Sequence, residues 1–291
     1  MKFKIFFVLL FFSIVITGVS EENTEVLEQT FPELKGLQTS TSSSERKPKL
    51  IEISSKSLRG KGKFLIYLPP GYTKNDRKYP VVYFLHGLGD NCSTWLEGEQ
   101  NVAQIVTILI ERGEIQPMIL IVPEGEKGFW MNFPDASKLY EDWVVKDLRK
   151  YVEKNYRTLN DRGHRAIMGV SMGGFGALKI GFRYPEIYGY ICAITPALPP
   201  PAQWSTGYLR QNHPWWLVVD RSEKLKNLRT IIKCGSADGY YEIDNSLVSL
   251  MNEKGLFCDW QVYEGMKHDA VYFVKSSVDG LKQISKYFAG F

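Results

Sequence analysis

The sequence predicts an α/β fold built on a mostly parallel sheet with helices on both faces. Apolar runs recur at Pro80 to Leu85, Met118 to Val122, Arg165 to Val170, Tyr190 to Thr195, Thr230 to Cys234 and Asp259 to Tyr263. Near-continuous apolar strands are what a parallel sheet buried on both faces requires. Between most of these runs, apolar residues return at spacings of three and four, most clearly in Trp143, Val144, Leu148, Tyr151, Val152 and Tyr156. That period marks an amphipathic helix, and strands alternating with helices define the class. Ligands of such sheets bind beyond the carboxyl ends of the strands, so the chemistry is expected just after the apolar runs.

The chain begins with "MKFKIFFVLLFFSIVITGVSEEN". Lys2 and Lys4 precede an apolar core from Ile5 to Ile16, and Gly18 and Ser20 supply small residues before Glu21 and Glu22. This is the layout of a secretory signal, with cleavage expected after Ser20 and a secreted or periplasmic product. The apolar run is shorter than the roughly 20 residues a membrane span needs. Taking 20 residues from 291 leaves 271, and the formal charge falls from +4 to +2 because two lysines and no acids are lost. So small a charge gives no case for nucleic acid or an anionic membrane as partner. No stable membrane association is expected once the signal is cut.

Residues 21–49 are polar, carry "TSTSSSERKPK" and have no apolar period, so a flexible linker is expected. From Leu50 onward one large domain, 50–291, is expected. It opens with a hairpin in which "KLIEISSKS" and "KFLIYLP" flank a turn at Arg59-Gly60-Lys61-Gly62. Helices are expected around 100–113, 143–156, 173–184, 241–254 and 276–289. Cys92, Cys192, Cys234 and Cys258 match no metal-ligand spacing, and two of them lie inside apolar runs as small hydrophobes. No essential disulfide is expected.

The run Arg165 to Val170 ends in Gly169-Val170-Ser171-Met172-Gly173, a G-x-S-x-G sequence between a strand and a helix. A serine on so tight a turn needs nearly bare neighbours, which accounts for Gly169 and Gly173. Gly174 and Gly176 then let the helix lie close to the sheet. Serine needs an adjacent base to act as a nucleophile, and the chain has four histidines. His268 alone follows both the serine and a strand end. His86 ends "VVYFLHG", His164 precedes its strand, and His213 sits in an irregular segment. The acid that orients the base is expected after the intervening strand, at Asp238. Its rival Asp244 falls in a helical pattern, where a solvated or capping role fits better, and Asp269 points away from its neighbour His268. The turn "HGLGDN" offers backbone N–H groups for an oxyanion, with the Leu88 and Met172 amides as the expected pair. His86 then braces that turn.

With those residues in place, the chain resembles the esterase family of α/β-hydrolases. That family includes S-formylglutathione hydrolase (esterase D), feruloyl and acetylxylan esterases, tributyrin-type esterases and the antigen 85 mycolyltransferases. The resemblance rests on "YLPPGY" at 67–72, "YPVVYFLHGLGDN", "GVSMGGFGALKIGFRYPEIYG", the stretch around Asp238 and "EGMKHD" at 264–269. It covers about Leu50 to Phe291. It implies the α/β-hydrolase fold and a serine carboxylesterase that uses Ser171 as nucleophile, Asp238 as acid and His268 as base. The Leu88 and Met172 amides form the implied oxyanion hole, and no metal or organic cofactor is implied. Family membership with export points to short-chain or aromatic esters of feruloyl or acetyl type, with an esterified carbohydrate as one such substrate. Formylglutathione hydrolases are cytosolic, so the signal argues against that activity.

Trp204, Trp215 and Trp216, in a Trp- and Pro-rich segment, either wall an acyl pocket or cover the end of the core. Trp130 and Asn132, after another strand, are pocket candidates by position. Two alternatives share the fold: an acyltransferase in which an alcohol replaces water, and a secreted binding module without catalysis.

Overall fold

The computed structural model of the chain describes residues 47–96 and 102–290, so the expected signal and nearly all of the expected linker lie outside the described residues. The chain enters through the hairpin β1 (Lys49–Ser55) and β2 (Gly60–Tyr67), followed by the central strand β3 (Val81–Leu85). Helices α1 (Cys92–Leu96) and α2 (Val102–Glu111) lead to β4 (Ile119–Pro123). A continuous helix, α3, then runs through Tyr140–Asp142, the π-helical Trp143–Leu148 and Arg149–Asn155. It precedes β5 (Arg165–Val170), α4 (Met172–Arg183) and β6 (Tyr190–Ile194). The remaining elements are α5 (Gly207–Asn212), α6 (Pro214–Leu225), β7 (Arg229–Gly235), α7 (Tyr241–Glu253), β8 (Cys258–Tyr263) and α8 (Ala270–Phe288).

The strands form one sheet in the order β1-β2-β4-β3-β5-β6-β7-β8. The hairpin is antiparallel, β2 pairs antiparallel with β4, and every later pairing is parallel. Alternate residues of the central strands serve two core layers. Val81, Tyr83 and Leu85 face α3, α4, α6 and α7, while Val82 and Phe84 face α1, α2 and α8. Both faces are therefore covered, which is why these strands are apolar without interruption. Strand order reverses between β3 and β5: from β3 the chain crosses to β4 on one side, and from β5 to β6 on the other. The crevice that opens there, at the carboxyl ends of β3 and β5, is where such sheets bind ligands.

Two boundaries differ from expectation. The hairpin turns earlier, at residues 56–59, with Arg59 left-handed at φ 51°, and Ser55 pairs with Gly60. Gly62 lies within β2 because the Trp143 ring lies on it, 2.5 Å from where a Cβ would stand. The last helix starts at Ala270 and not near residue 276, since the Asp269 carboxylate caps it by accepting from the Tyr272 amide at 2.9 Å. Among the described residues no helix is long and apolar enough to cross a membrane.

A buried ionic cluster ties α4 to α3. Glu141 is 1% exposed and accepts from Lys179, from Arg183 at 2.9 Å and from the Tyr184 hydroxyl at 2.8 Å. Burial alone would raise the Glu141 carboxyl, but Lys179 and Arg183 outweigh it and bring it down to about 2. Burial pulls the Lys179 ammonium below its usual range, against the pull of Glu141. The three donors converging on Glu141 make its ionised form the dominant one. Its folded value is depressed, so the cluster stabilises the fold above the ordinary carboxylate range and fades as pH falls toward about 2. Glu141→Gln, which leaves two cations without their counter-charge, is expected to cost about 3–5 kcal/mol at pH 7. Urea unfolding should show the gap between variant and wild type narrowing below pH 4.

Candidate active site

Ser171 stands between β5 and α4 with φ 54° and ψ −115°, a conformation few non-glycine residues adopt. Its amide donates to the Ile194 carbonyl at 2.9 Å, and its carbonyl accepts from Phe175 and Ala197 at 3.0 Å each. Gly169 and Gly173 have ordinary φ, so their value is space. A Cβ on Gly169 would stand 2.4 Å from the Gly173 carbonyl, and one on Gly173 only 1.9 Å from the Leu85 oxygen. Gly174 abuts the Ile194 carbonyl, whereas Gly176 seats the Trp130 ring and not the sheet.

His268 lies in the loop between β8 and α8. The Ser171 hydroxyl donates to His268 Nε2 at 3.0 Å, and His268 Nδ1–H donates to Asp238 Oδ2 at 2.8 Å. The ring stands edge-on to Phe273 at 4.8 Å and beside Tyr240 at 5.5 Å. Its loop is fastened to the Asp238 loop, since Met266 O accepts from the Ala237 amide at 3.1 Å and Ser236 Oγ accepts from the Gly265 amide at 2.8 Å.

Asp238 is buried after β7. Its Oδ1 accepts from the Tyr240 amide at 2.9 Å, and Oδ2 also accepts from the Thr195 hydroxyl at 2.6 Å. Burial alone would raise its carboxyl, but the hydrogen bond and charge of His268, with the Thr195 and Tyr240 donors, hold it below the usual carboxylate range. Asp244, expected to be solvated or capping, is fully buried against the Cys234 thiol, with neither oxygen hydrogen-bonded. Burial, with Asp238 nearby, pushes its carboxyl well above the usual range. The other histidines are occupied elsewhere. His213 donates through Nε2 to Pro199 O and accepts from the Trp215 amide, and His164 pairs with Asp161 at the amino end of β5.

The turn after β3 is braced from behind. His86 donates through Nδ1 to Gly87 O at 2.8 Å and accepts at Nε2 from the Gly125 amide at 3.0 Å. Glu124 Oε1 lies 3.3 Å from the same Nε2. Gly87 approaches the nucleophile closely enough that its Cβ would lie 3.7 Å from Ser171 Cβ. Leu88 follows, and its amide makes no hydrogen bond to protein among the described residues. The Met172 amide is the first of α4 and has no intrahelical acceptor.

The expected pocket residues divide. Trp130 is fully buried and donates from its indole to His86 O at 3.3 Å. Its ring supports the turn and offers no surface to a ligand. Asn132 exchanges hydrogen bonds with Asp142 at 3.1 Å in both directions, which occupies its amide. Trp204 is half-buried, edge-on to Phe175 and His213 at 5.8 Å. Trp215 packs on the core, and Trp216 donates toward Pro201 O beneath the Arg210 guanidinium. The sequence did not single out Thr195, Phe129 or Phe273. Phe129, left-handed at φ 49°, extends the Trp204–Phe175 row, its ring 6.0 Å from Phe175.

Sheet order and the position of the site at its switch point define an α/β-hydrolase. The Esterase family model, described as "Putative esterase", matches residues 55–275, and the chain belongs to that family. It is 34% identical over 134 residues to an endo-1,4-beta-xylanase/feruloyl esterase of Xylanibacter ruminicola, a match covering 43% of this chain and 18% of that protein. The chain thus spans less than a fifth of that relative's length. It is 24% identical to the S-formylglutathione hydrolase of Bos taurus across 82% of this chain and 93% of the other. Among solved structures it resembles a ferulic acid esterase with a TM-score of 0.74 and 27% identity, covering 83% of this chain and 99% of that one.

Proposed function

We propose that the protein is an exported serine carboxylesterase acting through an acyl-enzyme. The observation that carries this is the line from Ser171 Oγ through His268 to Asp238, with contacts of 3.0 and 2.8 Å. His268 Nε2 takes the hydroxyl proton as Ser171 Oγ bonds to the ester carbonyl carbon. The oxyanion faces the Leu88 and Met172 amides, and each such donor is worth about a hundred- to a thousand-fold in rate. The C–O bond to the leaving group breaks, and His268 returns the proton to the departing alkoxide. Water, deprotonated by the same nitrogen, then attacks the acyl carbon, the bond to Ser171 Oγ breaks, and His268 returns the proton to Oγ. Asp238 stays ionised throughout and balances the imidazolium.

The names of two relatives make feruloyl esters the first substrates to try, and the family resemblance adds acetyl esters, free or on carbohydrate. Export rests on the N-terminal sequence, and Edman sequencing of the secreted product should begin near Glu21. A fluorophosphonate probe should label wild type on the Ser171 peptide and leave Ser171→Ala unlabelled. p-Nitrophenyl acetate and butyrate turnover should vanish with it, and a panel of methyl ferulate, acetylated xylan and tributyrin ranks the esters. Labelling or turnover that persists in Ser171→Ala defeats the mechanism.

A further inference from the structure

Thr195, immediately after β6, is fully buried and has φ 38°. A β-branched residue there is a genuine outlier, held only where its surroundings over-determine it. Its amide donates to Lys233 O at 2.6 Å. Its hydroxyl sits 2.6 Å from Asp238 Oδ2 and 3.3 Å from Cys234 Sγ. The hydroxyl has one proton, and the carboxylate can only accept, so that proton goes to Asp238 and the Cys234 thiol donates to the oxygen behind it. Burial raises the Cys234 thiol well above its ordinary range, which keeps it a donor.

The same turn grips the nucleophile. Ile194 O accepts from the Ser171 amide, and the Ala197 amide donates to Ser171 O. Gly174, three residues past Ser171, packs on the Ile194 carbonyl and Pro196 Cα so closely that a Cβ would stand 2.8 and 3.0 Å from them. One four-residue turn therefore touches both ends of the Ser171–His268–Asp238 line, clasping the serine by its backbone and the acid by the Thr195 side chain.

We propose that Thr195 is a positioning residue for ester hydrolysis, fixing Asp238 relative to Ser171 and sharing the negative charge that His268 meets. This rests on the serine-esterase reading above. Thr195 touches no reacting atom, so its loss acts through Asp238. One fewer donor leaves the carboxylate more basic and its attraction for the imidazolium stronger. The other titratable groups facing Asp238 and Thr195 are Cys234, Asp244, Tyr240 and Tyr272. Of these, Cys234 alone loses a hydrogen-bond partner in Thr195→Val, because its thiol donates to the Thr195 oxygen.

The test compares Thr195→Val, which keeps the shape without the hydroxyl, with Thr195→Ser, which keeps the hydroxyl. Hydrolysis of p-nitrophenyl acetate is followed from pH 5 to 9, with Ser171→Ala alongside. Thr195→Val should lose about ten- to a hundred-fold in kcat, as for a hydrogen bond to a charged group. KM should stay within about twofold and the acid limb of kcat/KM should move to higher pH. Thr195→Ser should stay within a few-fold of wild type with its limb in place. If thermal unfolding shows Thr195→Val to be unfolded, Thr195→Ala against Thr195→Ser carries the same comparison. A wild-type kcat without the hydroxyl, an unmoved acid limb, or a serine variant no better than valine overturns the role of Thr195. Turnover surviving in Ser171→Ala overturns the underlying reading, so the two failures are separable.

Discussion

Changing His268 to Ala is expected to lower kcat for ester hydrolysis on the order of a million-fold, and adding Ser171→Ala should cost almost nothing more. The reason is that in the proposed mechanism the two side chains perform one step. The serine oxygen bonds to carbon only as its proton passes to Nε2, 3.0 Å away, so without the imidazole the hydroxyl is an ordinary alcohol. His213 cannot substitute, because Pro199 O and the Trp215 amide occupy its two nitrogens. Asp238→Asn should lose on the order of ten-thousand-fold, since an amide facing Nδ1 favours the wrong tautomer. Burst and steady-state kinetics on the singles and the double test this. Losses that multiply would show that the residues act independently, against the single shared proton transfer.

Much of this was legible because burial and chemistry leave local marks. Strands covered on both faces must be apolar throughout, so β3, β4, β5, β6 and β7 lay within two residues of their apolar runs. The switch point brings the ends of β3, β5, β7 and β8 to one edge, where the motif residues Ser171, Asp238 and His268 already stood in order. What escaped depends on contacts between distant segments. Gly62 looks like a turn residue until the Trp143 ring is known to cover it. Trp130 looks like pocket lining until its indole is seen bonded to His86 O. Asp244 obeys a helical period and yet faces the core, because the thiol of Cys234 meets it there. Thr195 ends an apolar run, and nothing local tells that its backbone leaves the extended region to aim a hydroxyl at Asp238.

The second large effect falls on Gly173, which bears no reacting group. Its missing Cβ would sit 1.9 Å from the Leu85 oxygen, 2.6 Å from the Leu85 carbon and 2.8 Å from the His86 oxygen. All three are backbone atoms at the end of a fully buried central strand, so no side chain can swing aside to absorb the methyl group. Overpacking ordinarily costs about 1–3 kcal/mol, and an obstacle that only main-chain movement relieves belongs above that range. Gly173→Ala should therefore lose at least about 3 kcal/mol in urea unfolding. Gly60→Ala is the control, because its Cβ would find only the Leu58 oxygen, at 3.9 Å, and little change is expected. The carbonyls that must retreat carry the chain into Gly87 and Leu88, so relief of the clash shifts the Leu88 amide from its proposed place in the oxyanion hole. Whatever Gly173→Ala protein folds should then react with the fluorophosphonate about a hundred- to a thousand-fold more slowly than wild type. Near-normal labelling with normal stability would mean that α4 does not pack on β3 as closely as 1.9 Å implies.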